Sequence, residues 1–483
     1  MCFVNTEQAQ VCISLDLHNK NTNKLIITLK MRNINFPLIL IVLILFFANC
    51  TKTDPVVLNP FDILFESSNN ARDKIVVISD LHLGNDLAYS ENVKHLARLE
   101  EFLNDVRSSA TVKELVIGGD MFDDWYIPTR TDTYGGGSQA DFIRKTVTAN
   151  QGVFDALNGI IKDGKIKLTY IPGNHDMGFL PENVNIALPG VNQARDKGDK
   201  YGVGTYYPED YPQIAIEHGH RYDFFCAITP GANESEAPGA FLPPGYFFAR
   251  IAANSFTNPT TKEAATKVPD VKLNHPGDAE QKSKHIYYQL WKNVIENVIY
   301  VNDSFSEPII KTNVGGFTKT YSINDIMPRN SETDGSIQMN LYNGLFTQAN
   351  WDAREQYNNV PKMTNIDSAI VGSLVTEFID LQAERQYFKN SESNVRVVIF
   401  GHTHLPKINT HTNRKGEECL YVNSGTWEDQ KTRDKNSAID QDALKMDFVI
   451  ISPVKSEKKM LHIGLYQYRY GQHVPGKSKT ITL

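Results

Sequence analysis

Positive charge in excess, cysteines at zinc-finger spacing, repeats and a membrane-length apolar run are all missing from this chain, and each shortage closes a class of function. The formal net charge is -7 with a sequence pI near 6.0. A nucleic-acid backbone as main partner would call for a basic face, so that class is set aside. Five cysteines among 483 residues show no zinc-finger spacing. No long like-charge block and no internal repeat occurs, which removes charged tails and solenoids. The most apolar stretch, Phe36 to Ala48, is thirteen residues long, short of the ~20 a spanning helix needs. What remains is an ordinary globular composition, 41% hydrophobic and 22% charged.

That short run does fit the ~7–15-residue apolar core of a secretory signal. Met31 and Arg32 stand just before it as a start with a positive flank, and Asn49-Cys50 closes it. Met31 to Cys50 therefore resembles a bacterial lipoprotein signal, in which Cys50 becomes the lipidated first residue. An uncleaved short anchor or an ordinary signal is the alternative. On the first reading, residues 1–30 are an over-long start, 51–73 a tether, and the protein is membrane-anchored and extracytoplasmic. Cys226 and Cys419 are then left either to form a disulfide or to stay as buried thiols.

From Lys74 onward short apolar runs alternate with helical periodicity. Leu96, Leu99, Leu103 and Val106 recur at three to four residues, and one helical pattern runs from Phe142 to Ile161. Such alternation predicts an α/β layer arrangement. About 175 residues separate His220 from the apolar run at Val397, far more than one connection needs. Ile366 to Phe388 reads as a long helix feeding that run, so residues 225–362 are assigned to an inserted, mostly helical cap. The core is then 74–224 and 363–483. Further strands are expected at 420–423, 447–451 and 462–470. The loop Tyr134 to Ser138 is glycine-rich and a candidate gate, with a plain surface loop as the alternative.

Five motifs follow apolar runs in one order: Asp80-Leu81-His82, Gly119-Asp120-Met121-Phe122-Asp123, Gly173-Asn174-His175-Asp176, His218-Gly219-His220 and Gly401-His402-Thr403-His404. Oxygen and nitrogen donors at several strand ends are what a pair of hard or borderline divalent metals requires. Two such ions neutralise a phosphoester's charge and acidify a bound water. Asp120, at a strand end after two glycines, is the candidate bridging carboxylate.

In order and spacing these motifs resemble the calcineurin-like metallophosphoesterase superfamily over about 74–224 and 393–427. The resemblance implies a four-layer αββα sandwich. It implies that Asp80, His82, Asp120 and His404 hold one metal, and Asp120, Asn174, His218 and His402 the other. His175 would face the substrate phosphate and Asp123 would orient it; His220 is expected to support its neighbour rather than bind metal. The ions would be manganese, with iron or zinc compatible. Asp123 stands where the purple acid phosphatase branch has tyrosine, which argues against that branch.

Ser79 to Leu83 and Gly119 to Trp125 look most like the UDP-2,3-diacylglucosamine pyrophosphatase branch, although His175 replaces its arginine. Arg221 and Trp125 are candidate substrate contacts, with a surface salt bridge the alternative for Arg221. The aromatic residues Tyr246, Phe247, Phe248, Tyr287, Tyr288 and Trp291 are read as core or as a pocket wall, and Thr426-Trp427 as packing or pocket rim. The expected substrate carries phosphate, as a small molecule or a lipid-linked one. Three functions stay open: a general phosphoester or pyrophosphate hydrolase, a lipid-linked nucleotide-sugar pyrophosphatase, and a metal-stabilised binding scaffold.

Overall fold

Two β-sheets face each other across a layer of branched aliphatic side chains, and helices cover both outer faces. The computed structural model describes residues 59–64, 72–196, 198, 201–361, 365–428, 446–454, 457–469 and 471–483. The lipoprotein-type signal, with Cys50, lies outside the described residues. The first sheet has the order β12-β11-β10-β1-β2-β3-β4. Its strands are β1 Lys74–Ile78, β2 Val112–Gly118, β3 Lys167–Ile171, β4 Asn192–Gln193, β10 Asp447–Val454, β11 Glu457–Arg469 and β12 Gln472–Thr482. The second has the order β8-β9-β7-β6-β5. It is built from β5 Thr205–Tyr206, β6 Ile214–Glu217, β7 Val397–Phe400, β8 Lys407–Thr412 and β9 Glu418–Asn423.

Strand pleat explains the layering. In β1, Ile75 and Val77 point into the space between the sheets, while Val76 and Ile78 join the core under the helices. Ile216, Val397, Ile399 and Val422 meet Ile75 and Val77 from the other sheet. Both faces being covered, β1 and β6 are buried along their whole length. β11 shows the same logic: Tyr466 and Tyr468 pack under helices, Ile463 and Leu465 between the sheets. β12, which follows it as the outermost strand, was not anticipated from the sequence; its residues are largely exposed and carry no apolar alternation.

Helix α1 Leu96–Ser108 buries Leu99, Phe102, Leu103 and Val106 on one stripe. The pattern from Phe142 to Ile161 is two helices, α2 Gln139–Ala149 and α3 Gln151–Asp163. They break at Asn150, whose side-chain amide donates to the Gly84 and Thr146 carbonyls, at 2.9 and 2.8 Å. That local pairing competes with continued helix.

Residues 225–362 contain helices α4 Gly245–Thr257, α5 Ala279–Asn297 and α6 Gln348–Asn358, with two small antiparallel ribbons. Their aromatic side chains, including Tyr246, Phe247, Tyr287 and Trp291, share one continuous apolar cluster with Val76, Ile78 and Trp125 of the sandwich. These residues are core, as the simpler of the two sequence readings has it. Ile366 to Phe388 is likewise not one helix. It divides into α7 Ile366–Gly372, α8 Thr376–Ala383 and a wide π turn at Glu384–Phe388. The Phe378 ring packs where a side chain at Gly372 would sit, and Val375 is extended.

Candidate metal centre

Parallel pairing sets the stage. β1, β2 and β3 run parallel as neighbours, and so do β6 and β7, so five motifs leave from like ends of strands. The crevice outside carboxyl ends of parallel strands is where such sheets place ligands. Past the strands the chains stay paired: Asp80 N–H donates to the Gly119 carbonyl (3.0 Å), and Leu81 and His82 donate to that of Asp120 (2.8 and 3.0 Å).

The turns are conformationally costly. Eight described non-glycine residues have positive φ, and five are candidate ligands from the motifs: Asp80, His82, Asp120, His402 and His404, at 45° to 69°. Left-handed backbone of this kind persists where surroundings hold it, and it clusters at functional sites. Two glycines permit the close approach. At Gly119, with φ +97°, the His218 ring occupies the place of a side chain; at Gly173 that place is taken by Asp120. Asp176 ties the third loop to the second, accepting from Gly173 N (2.6 Å), Met121 N (2.8 Å) and Phe122 N (3.2 Å).

Asp120 stands at the centre. Its Oδ2 lies 3.1 Å from His218 Nε2 and 3.7 Å from His82 Nε2, while Oδ1 accepts the His175 N–H at 2.8 Å. On one side, His404 Nε2 is 3.0 Å from Asp80 Oδ1, and Asp80, His82 and His404 form one potential ligand group. On the other, His218 Nε2 is 3.1 Å from Asn174 Oδ1, and the His218 and His402 rings lie 5.1 Å apart. The two ligand sets implied by the resemblance are thus brought together on either side of one carboxylate.

The donors suit cations. His82 Nε2 is buried and has no hydrogen-bond partner, the kind of atom a metal ion takes up. Burial opposes charge on these imidazoles, yet Asp120 and Asp80 outweigh it and raise His218 to about 9; carboxylates likewise raise His82 and His404. Such a surplus of negative charge in a buried pocket is what two divalent ions would neutralise.

Ring nitrogens turned away from the centre each have an acceptor, as metal-binding histidines generally do. Gly118 carbonyl takes His218 Nδ1 (3.0 Å), Asp223 faces His402 Nε2 (3.0 Å), and Glu428 faces His404 Nδ1 (2.8 Å). His82 Nδ1 is 3.2 Å from both Asp123 and Glu91. Glu91, Asp223 and Glu428 were missed in the sequence, because single carboxylates outside a motif carry no spacing signal. Asp223 alone had a hint, three residues after His220.

Asp123 Oδ1 is 2.8 Å from His175 Nδ1 and also accepts from Trp125 N and Tyr126 N. Trp125 stacks on His175 at 4.9 Å between ring centres. Burial opposes a charged His175, but Asp123 and Asp120 raise its pKa. At 14% exposure its side chain remains more open than the fully enclosed His218.

Arg221 is placed elsewhere than expected. It is buried, and its guanidinium pairs with Glu217 (2.6 Å) and Asp196 (2.8 Å) and donates to Thr205 (3.0 Å). No N–H fork is left for phosphate, and the salt bridge is internal rather than on the surface. His220 is a packing residue: it lies 3.1 Å from the Gly202 carbonyl, and burial holds its pKa well down. Thr426 and Trp427 back the site from below, the Thr426 hydroxyl and Trp427 N–H both donating to the Asp80 carbonyl at 3.2 and 3.1 Å. Tyr134 anchors its glycine loop, donating to Asp124 at 3.1 Å. Cys226 and Cys419 are free thiols.

The model of the family described as calcineurin-like phosphoesterase matches residues 73–248, which hold four of the five motifs. The fifth, at 401–404, joins them in space. A solved structure of a Vps29 single mutant from Entamoeba histolytica aligns over 85% of this chain and 99% of its own, at 9% identity and a TM-score of 0.26. No curated protein matches. Residues 73–248 are thus similar to a family that hydrolyses phosphoester bonds, and among the described residues the Asp and His groups around Asp120 could hold metal ions.

Proposed function

We propose that this protein hydrolyses a phosphoester or pyrophosphate outside the cytoplasm, tethered to a membrane through Cys50, with manganese as its working ion pair. The observation that carries the chemistry is Asp120 Oδ2 lying between His82 Nε2 and His218 Nε2. A bound ion pair supplies charge neutralisation at the phosphate and a water of lowered pKa. Asp80, His82 and His404 complete one side of Asp120; Asn174, His218 and His402 complete the other. Asp123 holds His175 by Nδ1, which leaves Nε2 as the nitrogen that donates a proton to the departing oxygen. Trp125, stacked on that ring, fixes its plane and keeps water from one face. Thus Trp125 serves the substrate through His175.

A lipid-linked nucleotide-sugar substrate is the second reading. Phe225, two residues past Asp223, stacks on Tyr287, and Phe248 stacks on Trp291 with ring centres 3.6 Å apart. Phe225 and Phe248 are only partly buried at the edge of the core, which favours an apolar or sugar-bearing leaving group. Phosphate in a small molecule or a lipid headgroup is the expected partner; nucleic acid is not.

The test is hydrolysis by manganese-loaded protein of a phosphomonoester, a phosphodiester and a nucleotide pyrophosphate. His175→Ala should keep two ions and lose about 10²–10⁴-fold in kcat. Full turnover in that variant removes His175 from the mechanism. Silence of the wild type on all three soluble compounds, with activity on a lipid pyrophosphate, selects the second reading; silence on every compound leaves the scaffold. For the tether, Cys50→Ser should move the protein from the membrane to the soluble fraction, and persistence in the membrane refutes lipidation.

A further inference from the structure

Asp223 and Cys226 belong to none of the five motifs, yet they face one of the motif histidines. The Cys226 N–H donates to the Asp223 carbonyl at 3.3 Å, so the two residues share one tight turn. Asp223 Oδ1 is fixed by the Phe225 N–H at 2.8 Å. Arg354 braces the same turn, donating to the Asp223 and Phe224 carbonyls at 2.7 and 3.2 Å. His402 approaches from the end of β7 with its Nε2 3.0 Å from Asp223 Oδ2. Carboxylate oxygen, thiol sulfur and ring nitrogen all lie within 4.8 Å of one another, and each residue is partly open.

One carboxylate, one thiol and one imidazole with a fourth position free is the donor set of an open tetrahedral zinc-type site. The dinuclear centre, by contrast, offers oxygen and nitrogen donors. Sulfur selects for soft ions that the neighbouring site does not favour.

We propose that Asp223, Cys226 and His402 form a separate site for a thiophilic divalent cation of the zinc or cadmium class, which competes with the dinuclear centre for His402. With Nε2 turned to Asp223, Nδ1 is the nitrogen left for the dinuclear pair. A neutral imidazole offers one lone pair, so His402 serves one ion at a time. When the soft ion binds, the Cys226 S–H bond breaks, its proton passes to solvent and a sulfur–metal bond forms. His402 is then withdrawn from the second metal. A manganese-supported enzyme of this design is inhibited by excess zinc or cadmium, and not by magnesium. The competition rests on His402 serving the dinuclear centre; the thiolate site does not rest on hydrolysis at all.

Cobalt reports the sulfur directly. The full chain, stripped of metal, is titrated with cobalt(II) while thiolate-to-cobalt charge transfer is followed in the near ultraviolet, in wild type, Cys226→Ser and Cys419→Ser. The band is expected in wild type and Cys419→Ser and absent in Cys226→Ser. A wild type without the band, or a band that survives Cys226→Ser, overturns the site, whatever the turnover assays give. In parallel, cadmium inhibition of the manganese-loaded protein should weaken at least tenfold in Cys226→Ser. Equal inhibition of both proteins overturns the competition.

Discussion

The strand-end loops and the segment 225–361 are built by opposite means. In the loops, short connections adopt left-handed backbone at Asp80, His82, Asp120, His402 and His404, at a cost of about 1–3 kcal/mol each. That cost is met by neighbouring backbone pairing between the loops. That segment is held instead by aromatic packing and by buried cations, Arg250 foremost. Six neutral oxygens lie within 3.1 Å of its guanidinium: the carbonyls of Ile127, Pro128, Thr131 and Lys311, and the hydroxyls of Thr133 and Tyr246. So the loops store strain to converge donors, and the segment 225–361 uses Arg250 to lock the chain just after Asp123. The lesson is one of division of labour: one region makes the site, and the other immobilises what surrounds it.

Removing the shared carboxylate should break the first half of that comparison most severely. Asp120→Ala deletes the group between both ligand sets and the acceptor of the His175 N–H. Activity should fall to background and metal content drop from two ions to one or none by elemental analysis. Folding should survive, since repulsion among the buried carboxylates is eased. Two tightly held ions in the variant would show that the sets do not share Asp120.

Arg250→Met tests the second half. It leaves buried carbonyls on the segment 127–131 without donors, each costing about 1–3 kcal/mol, so a loss of roughly 3–5 kcal/mol is expected in urea unfolding. Metal binding at saturating manganese should persist, because Arg250 touches no ligand. Loss of both ions from a folded variant would mean that the segment 225–361 builds the centre as well as bracing it.

The same contrast explains what the sequence disclosed. The candidate ligand motifs were legible because metal chemistry restricts residue type, and strand ends restrict position; the structure brings Asp80, His82, Asp120, His218 and His404 together. The α/β layering was legible from apolar runs such as Val76 to Ile78. Helix breaks were not. Asn150 and Val375 interrupt good periodicity through contacts made in three dimensions. Glu91, Asp223 and Glu428 were silent for a related reason: a lone carboxylate acquires its meaning from the imidazole the fold places beside it. Arg221 misled because its place after a ligand motif suggested phosphate, whereas burial against Glu217 decides its role.

Asp124 sharpens the comparison at the boundary of the two regions. Burial pushes its carboxyl up to about 8, the Tyr134 hydroxyl works against the shift, and Asp123 adds to it. The ordinary value is about 3.9, so between roughly pH 4 and pH 8 the folded chain holds a proton that the unfolded chain releases. Stability from this group is complete below the unfolded value and is lost as pH rises through the folded one, by up to about 1.4 kcal/mol per pH unit. Asp124→Asn keeps an acceptor for Tyr134 and cannot ionise. Its urea midpoint should match wild type near pH 4 and exceed it increasingly toward pH 8. Parallel profiles across that window would mean that Asp124 is ionised in the folded protein, with a counter-charge such as the His175 imidazolium compensating it.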